Sequence, residues 1–233
     1  MSDLMPLVLL PGLLCDEALW GHQLNALKTL ANCKTADITR QDRMEALAKD
    51  VLATAPPQFA LAGLSMGGYV AFEIMRQAPQ RVVKLCLLDT SARPDTTEQA
   101  ERRRLLMAMC REGHFKGVTP RLLPTLIHPD RMQDKEVTGT IMAMAERVGR
   151  DAFLRQQNAI LNRADSRASL KDIRCPVQVI GGKDDTLTPP DILREISSGI
   201  PGARINLIDA CGHLSPLEKP YEVSTLMRRW LES

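Results

Sequence analysis

Phe59-Ala60-Leu61-Ala62-Gly63-Leu64-Ser65-Met66-Gly67-Gly68-Tyr69-Val70 is the stretch on which the fold turns. Phe59 to Leu64 is a short apolar run without strict alternation, as expected of a strand buried on both faces. A helical period follows at once, with Val70 and Ile74 on one face. Between them stands G-x-S-x-G. Alone the motif is weak, because small residues cluster in many turns, but between a buried strand and a helix it is much stronger. The sharp turn is expected to strain the backbone of Ser65 and lift its Oγ above the sheet edge. Gly63 and Gly67 are expected to leave room, since a Cβ at either would collide with the opposite limb of the turn. The helix N-terminus adds positive partial charge and free N–H groups beneath the serine. The rival readings are a plain Gly-rich turn and a phosphate-binding loop; the latter expects G-x-x-x-x-G-K-[ST], and no lysine lies nearby.

Working outward, five more apolar runs have strand character: Pro6–Leu10, Asn32–Ile38, Val82–Leu88, Val177–Ile180 and Arg204–Ile208. Helical periods separate them. Trp20, Leu24, Leu27 and Leu30 share a face, as do Met44, Leu47, Val51 and Leu52, and Asp42 with Glu45 reads as a capping box for the second. Val223, Leu226, Met227 and Trp230 mark the last helix, with Pro220 suited to its first turn. Alternating strands and helices predict an α/β fold, a mostly parallel six-stranded sheet flanked by helices. More than 80 residues without a convincing strand separate the fourth strand, ending near Leu88, from the fifth, beginning near Val177. Helical runs at Gln99–Arg111, Val137–Val148 and Asp151–Leu161 make this a helical insertion. The expected organisation is a core of residues 1–95 and 170–233 with a helical lid at 96–169.

A serine hydroxyl needs a base to take its proton, and the base needs an orienting carboxylate. After the fifth strand stands Gly181-Gly182-Lys183-Asp184-Asp185-Thr186-Leu187-Thr188-Pro189, and after the sixth Asp209-Ala210-Cys211-Gly212-His213-Leu214. Ser, Asp and His thus follow in the order of α/β-hydrolases, each on a loop after a strand. His22 reads as a helix-face residue and His114 and His128 lie in the insertion, which leaves His213 as the candidate base. Asp184, Asp185 and Asp89 all remain open as the acid; the bland reading of Asp89 is a cap on the turn at Thr90-Ser91.

With these motifs the chain resembles the α/β-hydrolase fold superfamily over nearly its whole length. Leu10-Pro11-Gly12 after the first strand and Gly212-His213-Leu214-Ser215-Pro216-Leu217-Glu218-Lys219-Pro220 complete the set. The family's acid loop commonly reads G-x-x-D-x-x-x-P; matching Gly182 and Pro189 implies Asp185. The resemblance further implies an oxyanion hole from the backbone N–H groups of Leu13 and Met66, where losing one donor costs about 3–4 kcal/mol. Two departures stand out. The family usually has His-Gly where this chain has Pro11-Gly12, and the Gly-rich loop that relatives often carry after the second strand is replaced by Asp37-Ile38-Thr39-Arg40-Gln41-Asp42. The implied activity is hydrolysis of a small-molecule ester, lactone or thioester through Ser65, His213 and Asp185, with no cofactor and no metal. The same triad also resembles that of cofactor-free haloperoxidases or perhydrolases and of carbon–carbon hydrolases and lyases. A ligand-binding signalling protein with a vestigial triad is the rival from another class. A haloalkane dehalogenase would need Asp where this chain has Ser65.

Composition bounds the rest. The 233 residues carry 30 basic and 28 acidic side chains, a net charge of +2, so no global field argues for nucleic acid or membrane. Aromatics at 3% disfavour a base-stacking platform. Six cysteines without C-x-x-C read as buried thiols in a reducing compartment. The apolar stretch Leu4–Leu14 follows Asp3, lacks basic residues before it and is broken by Pro11-Gly12, so it does not read as a signal peptide. No apolar run nears the ~18 residues of a membrane span, and a cytoplasmic protein is expected. The charge is uneven: residues 100–167 hold 13 Lys/Arg against 8 Asp/Glu. That excess reads either as a solvated helical surface or as a basic rim attracting an anionic substrate.

Overall fold

The computed structural model describes residues 4–233; Asp3, named above in the reading of the N-terminal stretch, lies outside them. One sheet contains β1 (Met5–Leu10), β2 (Ala31–Thr35), β3 (Phe59–Leu64), β4 (Val82–Leu88), β5 (Val177–Gly182) and β6 (Arg204–Ile208). All pairings are parallel, in the order β2-β1-β3-β4-β5-β6. The chain steps from β1 outward to β2, then returns to the other side of β1 and continues through β3 to β6. This reversal opens a crevice beyond the carboxyl ends of β1 and β3, the usual place for a ligand in such sheets. Leu10 pairs with Gly63, so the loop after β1 lies beside the turn that carries Ser65.

Side chains along a strand alternate between faces, and here both faces are covered. Leu7 and Leu9 join one buried cluster with Trp20, Leu27, Val223 and Met227, whereas Val8 and Leu10 join another with Leu47, Val70 and Ile196. The first layer contains α1 (Gly21–Leu27), the short α7 (Ser215–Glu218) and α8 (Pro220–Glu232), which begins at Pro220 as anticipated; the second contains α2 (Met44–Thr54), α3 (Met66–Gln77) and α6 (Pro190–Gly199). The same burial explains why β3 reads as an unbroken apolar run: all six of its residues are buried, as are all six of β5, where Gln178 is the polar exception. A fully buried Leu such as Leu61 contributes roughly 1.5–3 kcal/mol.

Between β4 and β5 the chain builds α4 (Thr97–Met109), α5 (Lys135–Leu161) and several short 3-10 turns. The expected runs at 137–148 and 151–161 join as α5, which bends at Gly149 with φ 76° and ψ 178°. The insertion shares the core of the sheet. Ile127, Ile141 and Met144 pack in the cluster of Leu9 and Leu64, and Ala159 and Ile160 in that of Val8. Among the described residues no helix is long and apolar enough to cross a membrane.

Several local expectations are corrected. β2 ends at Thr35 rather than Ile38, since an edge strand paired only with β1 has little to extend it; Ile38 is buried in the following loop. The capping box at Asp42 is absent. α2 begins at Met44 with Arg43 as its cap, one residue too late for Asp42, which instead accepts from Asn158 Nδ2. A capping box does occur on α4, where Thr96 and Gln99 bond reciprocally at 3.2 and 3.0 Å. Leu30 falls beyond the end of α1. The six cysteines are free, but Cys33 and Cys175 are only half-buried.

Candidate active site

Ser65 caps α3 with φ 53° and ψ −113°, a region that costs a non-glycine residue about 1–3 kcal/mol. Surrounding bonds enforce it: the Ser65 N–H donates to the Leu88 carbonyl at 2.9 Å, and the Thr90 hydroxyl donates to the Ser65 carbonyl at 2.7 Å. A Cβ on Gly63 would lie 2.5 Å from the Gly67 carbonyl oxygen, across the turn as expected. At Gly67 the obstacle differs from the one expected. A Cβ there would sit 2.2 Å from the Leu10 carbonyl oxygen, so neighbouring strand β1, not the opposite limb, demands glycine. The other non-glycine residues with positive φ are Leu14, Asp89 and Ala210. All four follow β1, β3, β4 or β6, which concentrates backbone strain at the carboxyl edge of the sheet.

The structure brings Ser65, His213 and Asp185 together. His213 Nε2 lies 2.8 Å from Ser65 Oγ, and His213 Nδ1 lies 2.8 Å from Asp185 Oδ2. Asp185 is buried and collects further donors: the N–H groups of Leu187 and Thr188 at 2.8 and 3.1 Å reach Oδ1, and the Thr188 hydroxyl reaches Oδ2. Burial pushes this carboxyl up, but the charge and hydrogen bond of His213 and the Thr188 donors outweigh it and hold the pKa at about 2. Burial pulls the His213 imidazole down, and Asp185 more than reverses this, so its pKa lies above the ordinary histidine value. Asp184 stands apart, half exposed, with Oδ2 3.9 Å from His128 Nε2. Leu13 follows β1 and Met66 opens α3; neither backbone N–H donates within the protein among the described residues.

Asp89 does not cap the Thr90-Ser91 turn. Fully buried, it accepts the Gly182 N–H at 2.9 Å and the Ser215 hydroxyl at 2.5 Å, tying the acid loop to the histidine loop. Burial, then repulsion from Asp185, drives its carboxyl well above the usual carboxylate range. A raised acid favours the native state only when protonated, so its ionisation weakens the fold as pH climbs from the unfolded value through the folded one. Asp89→Asn is therefore expected to raise Tm at pH 8 and change it little near pH 4. Equal or lower Tm at pH 8 would contradict that account.

Glu218 and Thr188 escaped the sequence reading. Glu218 is buried and accepts the N–H groups of Gly212, Leu214 and His128 at 3.0, 3.1 and 2.7 Å. With the Leu126 carbonyl, which accepts from His213 and Leu214, it straps the insertion to the histidine loop. The available signal was a carboxylate five positions after His213, following Pro216-Leu217. Of the other histidines, His22 bonds Ser224 at 2.8 Å, His114 is exposed, and His128 accepts the Asp130 N–H at 3.2 Å. No three His, Cys, Asp or Glu side chains gather as metal ligands among the described residues. Much of the insertion's positive charge is paired: Arg103 and Arg163 with Asp95, Arg147 with Asp16, and Arg167 with Asp165.

A family model described as the alpha/beta hydrolase family matches residues 7–225. The chain belongs to the alpha/beta hydrolase family. It is 28% identical over 199 residues to the pimeloyl-(acyl-carrier protein) methyl ester esterase of Aromatoleum aromaticum, covering 81% of this chain and 80% of that one. Among solved structures, a thermophilic esterase from Thermogutta terrifontis superposes with a TM-score of 0.88 at 29% identity, over 98% of this chain and 89% of the other. The enol-lactonase of Burkholderia xenovorans shares the fold, with a TM-score of 0.87 at 23% identity over 98% and 92% of the two chains. By name these are two esterases and a lactonase.

Proposed function

We propose that this member of the alpha/beta hydrolase family is a serine hydrolase acting on a carboxylic ester, lactone or thioester. The hydrogen-bonded line Ser65–His213–Asp185, with both links at 2.8 Å, carries the proposal. His213 Nε2 takes the proton as Ser65 Oγ adds to the acyl carbon, and Asp185 balances the imidazolium and keeps a proton on Nδ1. The N–H groups of Leu13 and Met66 receive the oxyanion, the latter helped by the positive end of α3. Collapse breaks the acyl–oxygen or acyl–sulfur bond, with His213 protonating the departing group. Water, deprotonated by His213, then cleaves the acyl-serine and releases the acid. Similarity to a methyl ester esterase favours a carboxylic ester as substrate.

The test is a panel of aryl esters, lactones and acyl thioesters compared by kcat/KM, with intact-mass measurement after a fluorophosphonate probe. One adduct per chain and measurable ester turnover are expected. Saturable ligand binding without adduct or turnover would overturn the proposal and favour a binding protein.

A further inference from the structure

Gln156 lies far from the catalytic residues in sequence, yet it meets the loop on which the proposed oxyanion hole depends. It sits on α5 and is fully buried. Its Oε1 accepts the Leu14 N–H at 3.1 Å, and its Nε2 donates to the Ile38 carbonyl at 3.3 Å. One amide thus bridges the loops after β1 and β2.

The bridged loop is a four-residue turn, Gly12-Leu13-Leu14-Cys15, closed by the Cys15 N–H on the Gly12 carbonyl at 3.1 Å. Leu14 stands third with φ 59°, while Leu13 is not among the residues with positive φ. That combination defines a type II turn, whose third position ordinarily demands glycine. A leucine there disfavours the left-handed conformation, and the alternative type I turn flips the central peptide, which carries the Leu14 N–H. Gln156 holds this N–H on its side of the loop. Cys15 Sγ, 3.5 Å from the Leu13 carbonyl, bonds the other end of the same peptide. The Leu14 side chain packs against Cys110, Ala145 and Phe153 of the insertion.

We infer that Gln156 is a positioning residue for the oxyanion hole: by accepting the Leu14 N–H it fixes the turn, and with it the place of the adjoining Leu13 N–H opposite the reacting oxygen. The inference rests on the serine-hydrolase reading for its effect on rate, but the turn itself can be read independently of activity. Gln156→Met keeps the bulk and removes the acceptor. Its kcat on an aryl ester should fall about 10- to 100-fold, less than the roughly 10²–10³-fold lost with an oxyanion donor itself, while KM stays within about twofold. The Ki of a trifluoromethyl ketone should rise in step with the loss of kcat/KM, because that ligand forms the oxyanion.

Adding Leu14→Gly to Gln156→Met should restore much of kcat, since glycine adopts the third position of a type II turn unaided. A role confined to packing predicts the opposite, a further loss on deleting a second buried side chain. Gln156→Glu, which retains the acceptor, should keep kcat within about fivefold and serves if the Met variant does not fold. Backbone amide exchange supplies the readout apart from activity: the Leu14 amide should be protected in the wild type and exposed in Gln156→Met. A wild type without turnover would sink the serine-hydrolase reading, yet exchange would still decide the clamp. Unchanged Leu14 protection in the Met variant, unchanged kcat, or no recovery in the double variant would overturn it.

Discussion

Ser65→Ala removes the attacking oxygen and is expected to lower kcat on an aryl ester by roughly 10⁶-fold, with all fluorophosphonate labelling lost. The size follows from the arrangement: Ser65 Oγ is the group hydrogen-bonded to His213 Nε2, at 2.8 Å. Cys15, close by on the loop after β1, has its thiol pushed up to about 12 by burial, which keeps it protonated and weakly nucleophilic. The fold should survive, because the bonds that strain residue 65 run through its backbone N–H and carbonyl, which alanine keeps. Measurement of kcat by active-site-independent protein concentration, with intact mass after probe treatment, decides the matter. Turnover in Ser65→Ala within about tenfold of wild type would sink the mechanism.

Asp185→Asn should lower kcat by about 10⁴-fold without unfolding the site. Oδ1 accepts two backbone N–H groups and must stay a carbonyl oxygen, so the new NH₂ occupies the place of Oδ2 and faces His213 Nδ1. A donor there forces the imidazole proton onto Nε2, where it blocks acceptance of the Ser65 proton. The pH profile carries a second signature. In the wild type the acid limb of kcat/KM should lie above the ordinary histidine value of 6.5, because Asp185 outweighs the effect of burial on His213. Without that charge the limb should move to lower pH, and an unmoved limb would contradict the pairing. Stability gives a third. The Asp185 carboxyl, held at about 2 when folded, stabilises the native state above its unfolded value of 3.8. That contribution fades as pH falls from about 4 to about 2, so the wild type should lose its Tm advantage over Asp185→Asn across that window.

Much of this site was legible because its parts obey local rules. A strand buried on both faces reads as an unbroken apolar run, and the strand–Gly-Leu-Ser-Met-Gly–helix succession leaves the serine few conformations. Likewise the resemblance to α/β-hydrolases, matched through Gly182 and Pro189, implied Asp185, and the succession Ser65, Asp185, His213 agreed with the order of that family. The misreadings were local features overruled by neighbours. Asp42 looked like a cap but α2 starts too late for it, and Gly67 is required by the Leu10 carbonyl of another strand.

The sequence alone therefore determined the sheet-and-helix alternation, the serine at its turn and the order of its partners, since each depends on residues adjacent in the chain. Only tertiary structure decided which of three aspartates faces the histidine, and that Asp89, Glu218 and Gln156 hold the loops in place. Their hydrogen bonds reach as far as 142 positions along the chain, from Gln156 to Leu14. No periodicity or motif encodes such a contact; it forms because packing α5 against the sheet leaves a buried amide beside a backbone N–H that has lost its water.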